Sequence, residues 1–137
     1  MSLSFTDDLS TFQAADFKGF FVGWPTAPSE NALYQTLQAA YRVVIATDQE
    51  QVVGFINAIS DGQMSAYIPL LEVRSEFQGR GIGKALLKQI TERLSHIYMV
   101  DLCCDPELKS FYQNLGFQPL QGMGLRHYER LQSLTSL

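Results

Sequence analysis

A glycine-rich segment stands between a strand-like run and an amphipathic helix. The run is Tyr67 to Val73, the helix is Ile82 to Leu94, and the segment is Gln78-Gly79-Arg80-Gly81-Ile82-Gly83-Lys84. Glycines let the backbone approach a ligand closely, and the first turn of a helix carries N–H groups without intrahelical acceptors. Together these features predict an anion site whose natural ligand is a phosphate or pyrophosphate.

Two familiar phosphate-binding loops do not fit this segment. A P-loop has a serine or threonine after its Gly-Lys pair to bind Mg²⁺, but Ala85 follows Gly83-Lys84. The dinucleotide fingerprint has the spacing Gly-x-Gly-x-x-Gly, whereas the glycines here lie at positions 79, 81 and 83. The pattern is instead Gln-x-x-Gly-x-Gly, which leaves a different class of phosphate-bearing ligand.

A second segment of the sequence narrows the choice of phosphate-bearing ligand. Residues 105–117 end in Phe111-Tyr112-Gln113-Asn114-Leu115-Gly116-Phe117. The two segments, with the distance between them, resemble motifs A and B of the GNAT superfamily of N-acetyltransferases, and the resemblance extends over roughly residues 42–128. It implies a mixed α/β chain with the GNAT-type acyl-CoA N-acyltransferase fold, in which a mixed central sheet with splayed middle strands is flanked by helices. It also implies acetyl-CoA as co-substrate.

The resemblance assigns roles to particular residues. The backbone of the glycine-rich segment would hold the pyrophosphate of acetyl-CoA, and Arg80 and Lys84 would either add charge there or remain solvated. Main-chain groups of Leu71 and Val73 would pair with pantetheine as if the cofactor were an added strand. Tyr112 would act as the general acid that protonates or hydrogen-bonds the leaving thiolate. The nine cofactor-binding candidates are Leu71, Val73, Gln78, Gly79, Arg80, Gly81, Ile82, Gly83 and Lys84.

Glu72 is the candidate general base. It lies between Leu71 and Val73 in an apolar strand and points to the opposite face from both, because successive side chains of a strand alternate. A lone carboxylate in such a strand needs a reason, although a solvent-facing position would also explain it. Asp101 in the following strand, or an ordered water, is an alternative base.

Two residues have a structural as well as a functional interpretation. Pro69 lies inside the strand-like run and cannot donate to a ladder, which predicts an edge or bulge position or a strand that peels away from its neighbour. In GNAT proteins such a splay admits the pantetheine arm. Asp105 stands where many family members have an asparagine that touches the cofactor, but before Pro106 it is also typical of a helix cap.

The composition of the chain limits the classes of protein and of partner that remain. The 137 residues fit a single domain spanning 1–137, and 46% hydrophobic with 18% charged residues is typical of a globular chain. A net charge of −4 without a basic tract argues against nucleic acid as a partner, and no apolar run reaches the length of a membrane span. We expect no metal site, since the adjacent cysteines 103 and 104 have no further Cys or His cluster nearby. A cytoplasmic location is the expectation.

Hydrophobic periodicity predicts the order of the elements. Helical segments are expected over Ser4 to Phe21 and Glu30 to Ala40, followed by strands at 41–46, 52–59 and 64–73. After the helix at 82–94 come a strand at 97–103 with both cysteines buried, the short helix of Tyr112, and a final strand or strand pair at 117–128. Antiparallel hairpins with one parallel crossover predict a mixed sheet.

The functional hypothesis is therefore an N-acetyltransferase. An amine would attack the thioester directly within a ternary complex, and the acceptor would be a small-molecule amine or a peptide or protein amine. A non-catalytic acyl-CoA-binding sensor or interaction domain on the same fold is the alternative, which loss of the tyrosine would favour. The sequence is compatible with either kind of acceptor and with a homodimer.

Overall fold

A computed structural model describes residues 2–137 as six strands and four α-helices joined by turns. The strands are β1 (Leu3–Thr6), β2 (Arg42–Asp48), β3 (Gln51–Ser60), β4 (Ser65–Tyr67), β5 (Leu71–Val73) and β6 (Met99–Asp101). The helices are α1 (Glu30–Gln38), α2 (Ile82–Arg93), α3 (Lys109–Gln113) and α4 (Tyr128–Ser133). Short 3₁₀ turns occupy Leu9–Thr11, Ala14–Phe17, Ser75–Phe77 and Pro106–Leu108. Within residues 2–137, no helix combines the length and the apolar character that crossing a bilayer requires.

The sheet is mixed, as the sequence predicts. Its strand order is β1-β2-β3-β4-β6, and β5 pairs with β3 beyond the end of β4. Strands β1 to β5 pair with one another only in the antiparallel sense, while β4 and β6 run parallel because α2 carries the chain across the sheet before β6. The predicted combination of antiparallel hairpins with one parallel crossover is confirmed.

The two faces of the sheet carry separate apolar clusters. Helix α2 covers one face, because its buried residues recur at helical spacing and pack on β2 and β3. Helix α1 and the turn at Ala14–Phe17 cover part of the other face. The α2 face includes Val44, Ile56, Leu86 and Ile90, and the α1 face includes Phe17, Leu37, Ile45 and Phe55.

Arg74 joins the N-terminal segment to the sheet. Its Nε donates to the Val52 carbonyl at 2.6 Å, and one terminal nitrogen donates to the Lys18 carbonyl at 2.8 Å. The guanidinium also lies over the Phe20 ring, 4.3 Å from the centroid. Burial lowers the pKa of Arg74, and the nearby Glu76 carboxylate opposes that shift. One side chain therefore fixes the segment that precedes α1 against β3 and β5.

The helix predicted over Ser4 to Phe21 is wrong. The chain begins with β1, in which Phe5 lies opposite Ala46 of β2, and continues as two single 3₁₀ turns. Asp8 ends the strand by accepting a hydrogen bond from the Ser10 main-chain N–H at 3.0 Å, which starts a turn and not a helix. The aromatic residues of this segment fill the α1-side core without helical periodicity.

The predicted final strand at 117–128 is also wrong. No strand forms there, and α4 begins at Tyr128. Pro119 cannot donate to a ladder and Gly122 and Gly124 weaken extended pairing, so the segment has no strand partner within the described chain. The strand expected at 97–103 ends at Asp101, which leaves both cysteines exposed beyond it and not buried as predicted.

The run predicted as one strand at 64–73 is two short strands interrupted at Pro69. On β3, Asn57 bridges the interruption: its main-chain N–H donates to the Leu70 carbonyl at 3.2 Å, and its Oδ1 accepts from the Leu70 N–H at 3.1 Å. Asn57 is the one buried polar residue among those described, and its Nδ2 has no hydrogen-bond partner there. A side chain thus replaces the ladder contact that the break removes.

Gly54 is the point where β3, β5 and α2 approach most closely. A Cβ there would lie 2.9 Å from the Glu72 carbonyl oxygen and 3.1 Å from Leu86 Cδ1. We expect Gly54→Ala to lower the free energy of unfolding by about 1–3 kcal/mol, the usual cost of overpacking a core. Urea unfolding followed by circular dichroism measures it. Gly122→Ala is the matched control, because nothing lies within 4 Å of a Cβ at that position; equal stability of the two variants would contradict the prediction.

Candidate active site

The outer edge of β5 carries main-chain groups without a strand partner. The Arg74 N–H donates to the Val53 carbonyl, and the Asn57 N–H donates to the Leu70 carbonyl. Peptide groups alternate along a strand, so those of Leu71 and Val73 point away from β3. Among the described residues β5 pairs only with β3, while β6 pairs with β4 and ends at Asp101. The two strands therefore leave a gap, as the resemblance implied.

The glycine-rich segment forms an open cradle of main-chain amides. Gly79 and Gly81 have φ values of +78° and +81°, a region that residues with a side chain rarely adopt. Nothing lies within 4 Å of a Cβ built at either position, so the space above the loop is open. The first α2 bond runs from the Ala85 N–H to the Gly81 carbonyl. The preceding amides of Ile82, Gly83 and Lys84 have no main-chain acceptor, and they lie at the positive end of the helix dipole, where an anion would be favoured.

The polar side chains of this segment adopt different roles. Gln78 Nε2 donates to the Val73 carbonyl at 3.1 Å, which ties the loop to β5. Arg80 donates to the Glu76 carbonyl at 3.2 Å and lies over the Phe77 ring. Lys84 is exposed in the first turn of α2. Both cations therefore lie beside the cradle, and no acidic residue occupies the first turn of α2.

Glu72 projects to the α1-side face of the sheet, opposite to the face on which α2 packs. It lies across from Phe55 on the α1 side, and its Oε1 accepts from the Phe21 N–H at 3.3 Å. Burial raises the pKa of the Glu72 carboxyl, and the Phe21 hydrogen bond only partly opposes that shift. A carboxylate with a raised pKa is a better proton acceptor at neutral pH, which suits a general base.

A cleft of about 360 Å³ adjoins this carboxylate. It is lined by residues 19–22 on one side and by residues 71–75 with Gln78 on the other. Phe21 has a φ of +68°, a strained conformation for a bulky residue, and its ring packs against Trp24 at 4.7 Å between centroids. Phe20 and Phe21 are buried while Trp24 is exposed, so the aromatic residues act as core on one side and as cleft wall on the other.

Asp101 lies on the same face as Glu72 but across the gap. In the register of the sheet Asp101 is beside Tyr67, which lies opposite Ile59 on the α1-side face of β3. Its carbonyl accepts from the Ile68 N–H at 2.9 Å, which closes the parallel pair just where the strands diverge. The half-buried side chain remains the alternative base.

Tyr112 lies on α3 and packs on the α2-side cluster. Its ring makes edge contacts with Phe111 and Phe117, at 5.0 and 5.9 Å between centroids. No described residue hydrogen-bonds its hydroxyl. Burial raises the pKa of the Tyr112 phenol, and the neighbouring Cys104 raises it further. The phenol is therefore protonated at neutral pH and has a proton to donate.

The position of Asp105 agrees with its interpretation as a helix cap, but its side chain does not act as one. It occupies the N-cap of the turn at Pro106–Leu108 with an extended backbone and proline next to it, as a cap would. Its side chain accepts no capping hydrogen bond, so the carboxylate stays exposed beside the gap-side end of β6.

Sequence reasoning missed Arg74 and Asn57. Arg74 looks like an ordinary residue after a strand, and only its contacts with residues far away in sequence show that it builds the cleft wall. Asn57 offered a weak signal, because an asparagine inside the apolar run 52–59 needs a buried partner. The structure thus contains an anion cradle, a strand edge without a strand partner, a half-buried carboxylate on the α1 side and a protonated phenol on the α2 side.

Comparison with known families and structures agrees with this geometry. The model of the acetyltransferase (GNAT) domain family matches residues 10–128. A crystal structure of a proposed acetyltransferase from Deinococcus radiodurans R1 superposes with a TM-score of 0.92 at 38% identity, and covers 96% of this chain and 92% of that one.

Curated relatives are longer proteins. The uncharacterised N-acetyltransferase ycf52 of Gracilaria tenuistipitata var. liui is 32% identical over 101 residues, which are 70% of this chain and 56% of that protein. The histone acetyltransferase TAP1 of Glycine max is 31% identical over 110 residues, 71% of this chain and 47% of that protein. The chain thus spans about half the length of these relatives.

Proposed function

The chain belongs to the GNAT family of acetyltransferases, and on that premise we propose that it transfers the acetyl group of acetyl-CoA to a primary amine. The observation that carries the proposal is the set of unpaired amides at the start of α2, next to the unpaired edge of β5. A linear ligand with a pyrophosphate at one end and amide groups along its arm matches both. Acetyl-CoA supplies the activated acyl group as a thioester.

In this proposal, main-chain groups bind acetyl-CoA and two side chains carry out the proton transfers. The amides from Gly79 to Lys84 bind the pyrophosphate, and the outward peptide groups of Leu71 and the N–H of Val73 orient the pantetheine arm, while Gln78 donates to the Val73 carbonyl. Glu72 removes a proton from the ammonium form of the acceptor on the α1-side face. Tyr112 donates a hydrogen bond or a proton to the departing sulfur. The amine attacks the thioester of acetyl-CoA directly within a ternary complex.

The acceptor is an amine that enters by the cleft beside Glu72. The cleft's aromatic wall and single carboxylate suit a cationic group on an apolar stem, from a small molecule or from a lysine or N-terminus of a peptide. The relative named as a histone acetyltransferase supports a protein amine. Tyr112 with an unengaged hydroxyl favours this enzyme over a non-catalytic acyl-CoA sensor. We also propose a cytoplasmic location.

Binding of the donor is the first test. Acetyl-CoA at ~100 times its dissociation constant is expected to add ~2.7 kcal/mol to the stability of the fold, seen as a rise in melting temperature. Gly81→Asp should abolish that rise because its carboxylate would meet the pyrophosphate. Gly81→Asn, with the same shape and no charge, should retain more of it. Normal binding by Gly81→Asp would assign the loop another role.

Tyr112→Phe tests the acid. The substitution keeps the ring and its edge contacts and removes only the hydroxyl, so transition-state stabilisation should fall while donor affinity stays within a few-fold. We expect kcat to drop ~10²-fold or more, the usual range for general acid catalysis. Steady-state kinetics measures it, with Tyr41→Phe as control because that hydroxyl contacts only His96. Equal kcat values in the Tyr112→Phe variant and the wild type would remove Tyr112 from the mechanism.

Glu72→Gln tests the base against Asp101. The carboxylate acts when deprotonated, so wild-type activity should rise with pH through an apparent pKa above that of an ordinary glutamate. Glu72→Gln should shift that rise to a higher pH, so that half-maximal turnover needs a higher pH, while donor affinity persists because Gln can still accept from the Phe21 N–H. The pH–rate profile of Asp101→Asn serves as the comparison; the same loss in Asp101→Asn alone would make Asp101 the base.

A further inference from the structure

A pocket of about 670 Å³ lies at the end of α1. The turn after β1, the second half of α1 and the start of β2 enclose it, and we name it the α1–β2 pocket. Its lining includes Asp7, Leu9, Tyr34, Leu37, Arg42 and Val43. The volume is within the range of about 300–1,000 Å³ that is typical of small-molecule sites, so a small organic ligand fits.

The α1–β2 pocket and the glycine-rich segment lie at opposite ends of α2. The segment leads into Ile82, the first residue of α2, while Arg93 in its last turn pairs with Asp7 of the pocket at 3.2 Å. At about 1.5 Å per residue these two ends are roughly 17 Å apart. The pocket also shares no lining residue with the cleft beside Glu72. A ligand in it would therefore contact neither the cofactor cradle nor the candidate base.

Apolar and aromatic side chains form the floor of the α1–β2 pocket. Leu37 and Val43 are buried members of the α1-side core. Leu9 and Tyr34 are half-buried and pack against that core. The Tyr34 hydroxyl donates to the Phe12 carbonyl at 2.8 Å, which holds the ring in place. Such a floor favours a ligand with an apolar body, because binding removes its apolar surface from water.

Arg42 gives the pocket a positive charge without an opposite ion. Its half-buried guanidinium lies over the Tyr41 ring, 4.3 Å from the centroid, and Nη1 donates to the Tyr41 carbonyl at 2.9 Å. Nε and Nη2 donate to no described residue, and the guanidinium forms no ion pair with a described carboxylate. The planar fork of an arginine matches a carboxylate through two parallel hydrogen bonds. Two donors of Arg42 are therefore available to an anionic ligand.

The other charges around the pocket limit that ligand to a single negative charge. The Asp7 carboxylate is balanced by Arg93. The last turn of α1 borders the pocket, and a helix C-terminus carries about half a negative elementary charge. Arg42 outweighs that partial charge for a monoanion. A phosphate group, with a charge of about −1.5 to −2, would exceed what one guanidinium balances beside a helix C-terminus.

We propose that the α1–β2 pocket is a second ligand site, which binds a monocarboxylate on an aromatic or other apolar body. The carboxylate accepts hydrogen bonds from Nε and Nη2 of Arg42, and the apolar body packs on Tyr34 and Leu37. This site is separate from acetyl transfer, so its ligand is neither the acetyl donor nor the amine acceptor. Binding there does not depend on whether the protein acetylates amines.

Phenylacetate is the probe, and phenylacetamide is the neutral compound of the same shape. Titration of the wild type followed by ¹H–¹⁵N NMR should shift the Arg42 Nε–H resonance and the main-chain amides of residues 34–43. Phenylacetamide should bind at least about tenfold more weakly, because it lacks the charge that the guanidinium pairs with. Shifts confined to residues 19–22 and 71–75 would place the probe in the cleft beside Glu72 and overturn the proposal.

Saturating CoA tests the separation of the two sites. The dissociation constant of phenylacetate should stay within about twofold when CoA is present, since the cradle lies at the other end of α2. Displacement of the probe by CoA would contradict a separate site.

Two variants of the pocket test the role of charge. Arg42→Gln should weaken phenylacetate binding at least about tenfold. Gln38→Glu leaves Arg42 intact and adds a negative charge at an exposed lining position, so it should weaken binding about threefold or more. Arg130→Gln is the matched control, because Arg130 lies on α4, away from the pocket. Circular dichroism verifies folding; wild-type affinity in folded Arg42→Gln or in Gln38→Glu would overturn the proposal.

Discussion

The interruption at Pro69 is the constraint on which the site depends. Before it, β4 has neighbours on both edges; after it, β5 keeps only β3, and its outer peptide groups face the gap. Because β5 is only Leu71–Val73, three consecutive residues carry both an outer main-chain edge without a strand partner and the Glu72 carboxylate on the α1 face. Asn57 keeps this short strand attached by replacing the contact that the break removes.

Local signals in the sequence were sufficient to predict the backbone conformation of the glycine-rich segment and the start of α1. The glycines at 79 and 81 encode their own backbone conformation, and Ser29 encodes the start of α1 by accepting from the Ala32 N–H. Such features depend on residues a few positions apart. Arg74 could not be found that way, because its role comes from contacts with partners 22 to 58 positions distant.

The errors in the fold share one physical cause. A strand needs a partner, and a sequence pattern describes only one side of the pair. Residues 3–6 became a strand because β2 offers an edge, although their pattern also suited a helix. Residues 117–128 have strand-like character without an edge in the described chain to receive them. Tertiary pairing, and not intrinsic preference, decided both segments.

The partners of Arg74 have a consequence for how the molecule responds to its solvent. Its guanidinium contacts carbonyl oxygens and the face of Phe20, which are dipoles and not opposite ions, whereas Arg93 forms an ion pair with Asp7 elsewhere. Dissolved salt screens exposed charges strongly and half-buried dipolar contacts weakly. The exposed Lys84 flanks a site for an anion. Ionic strength is therefore expected to weaken the binding of an anion at the start of α2 more than it weakens the Arg74 contacts.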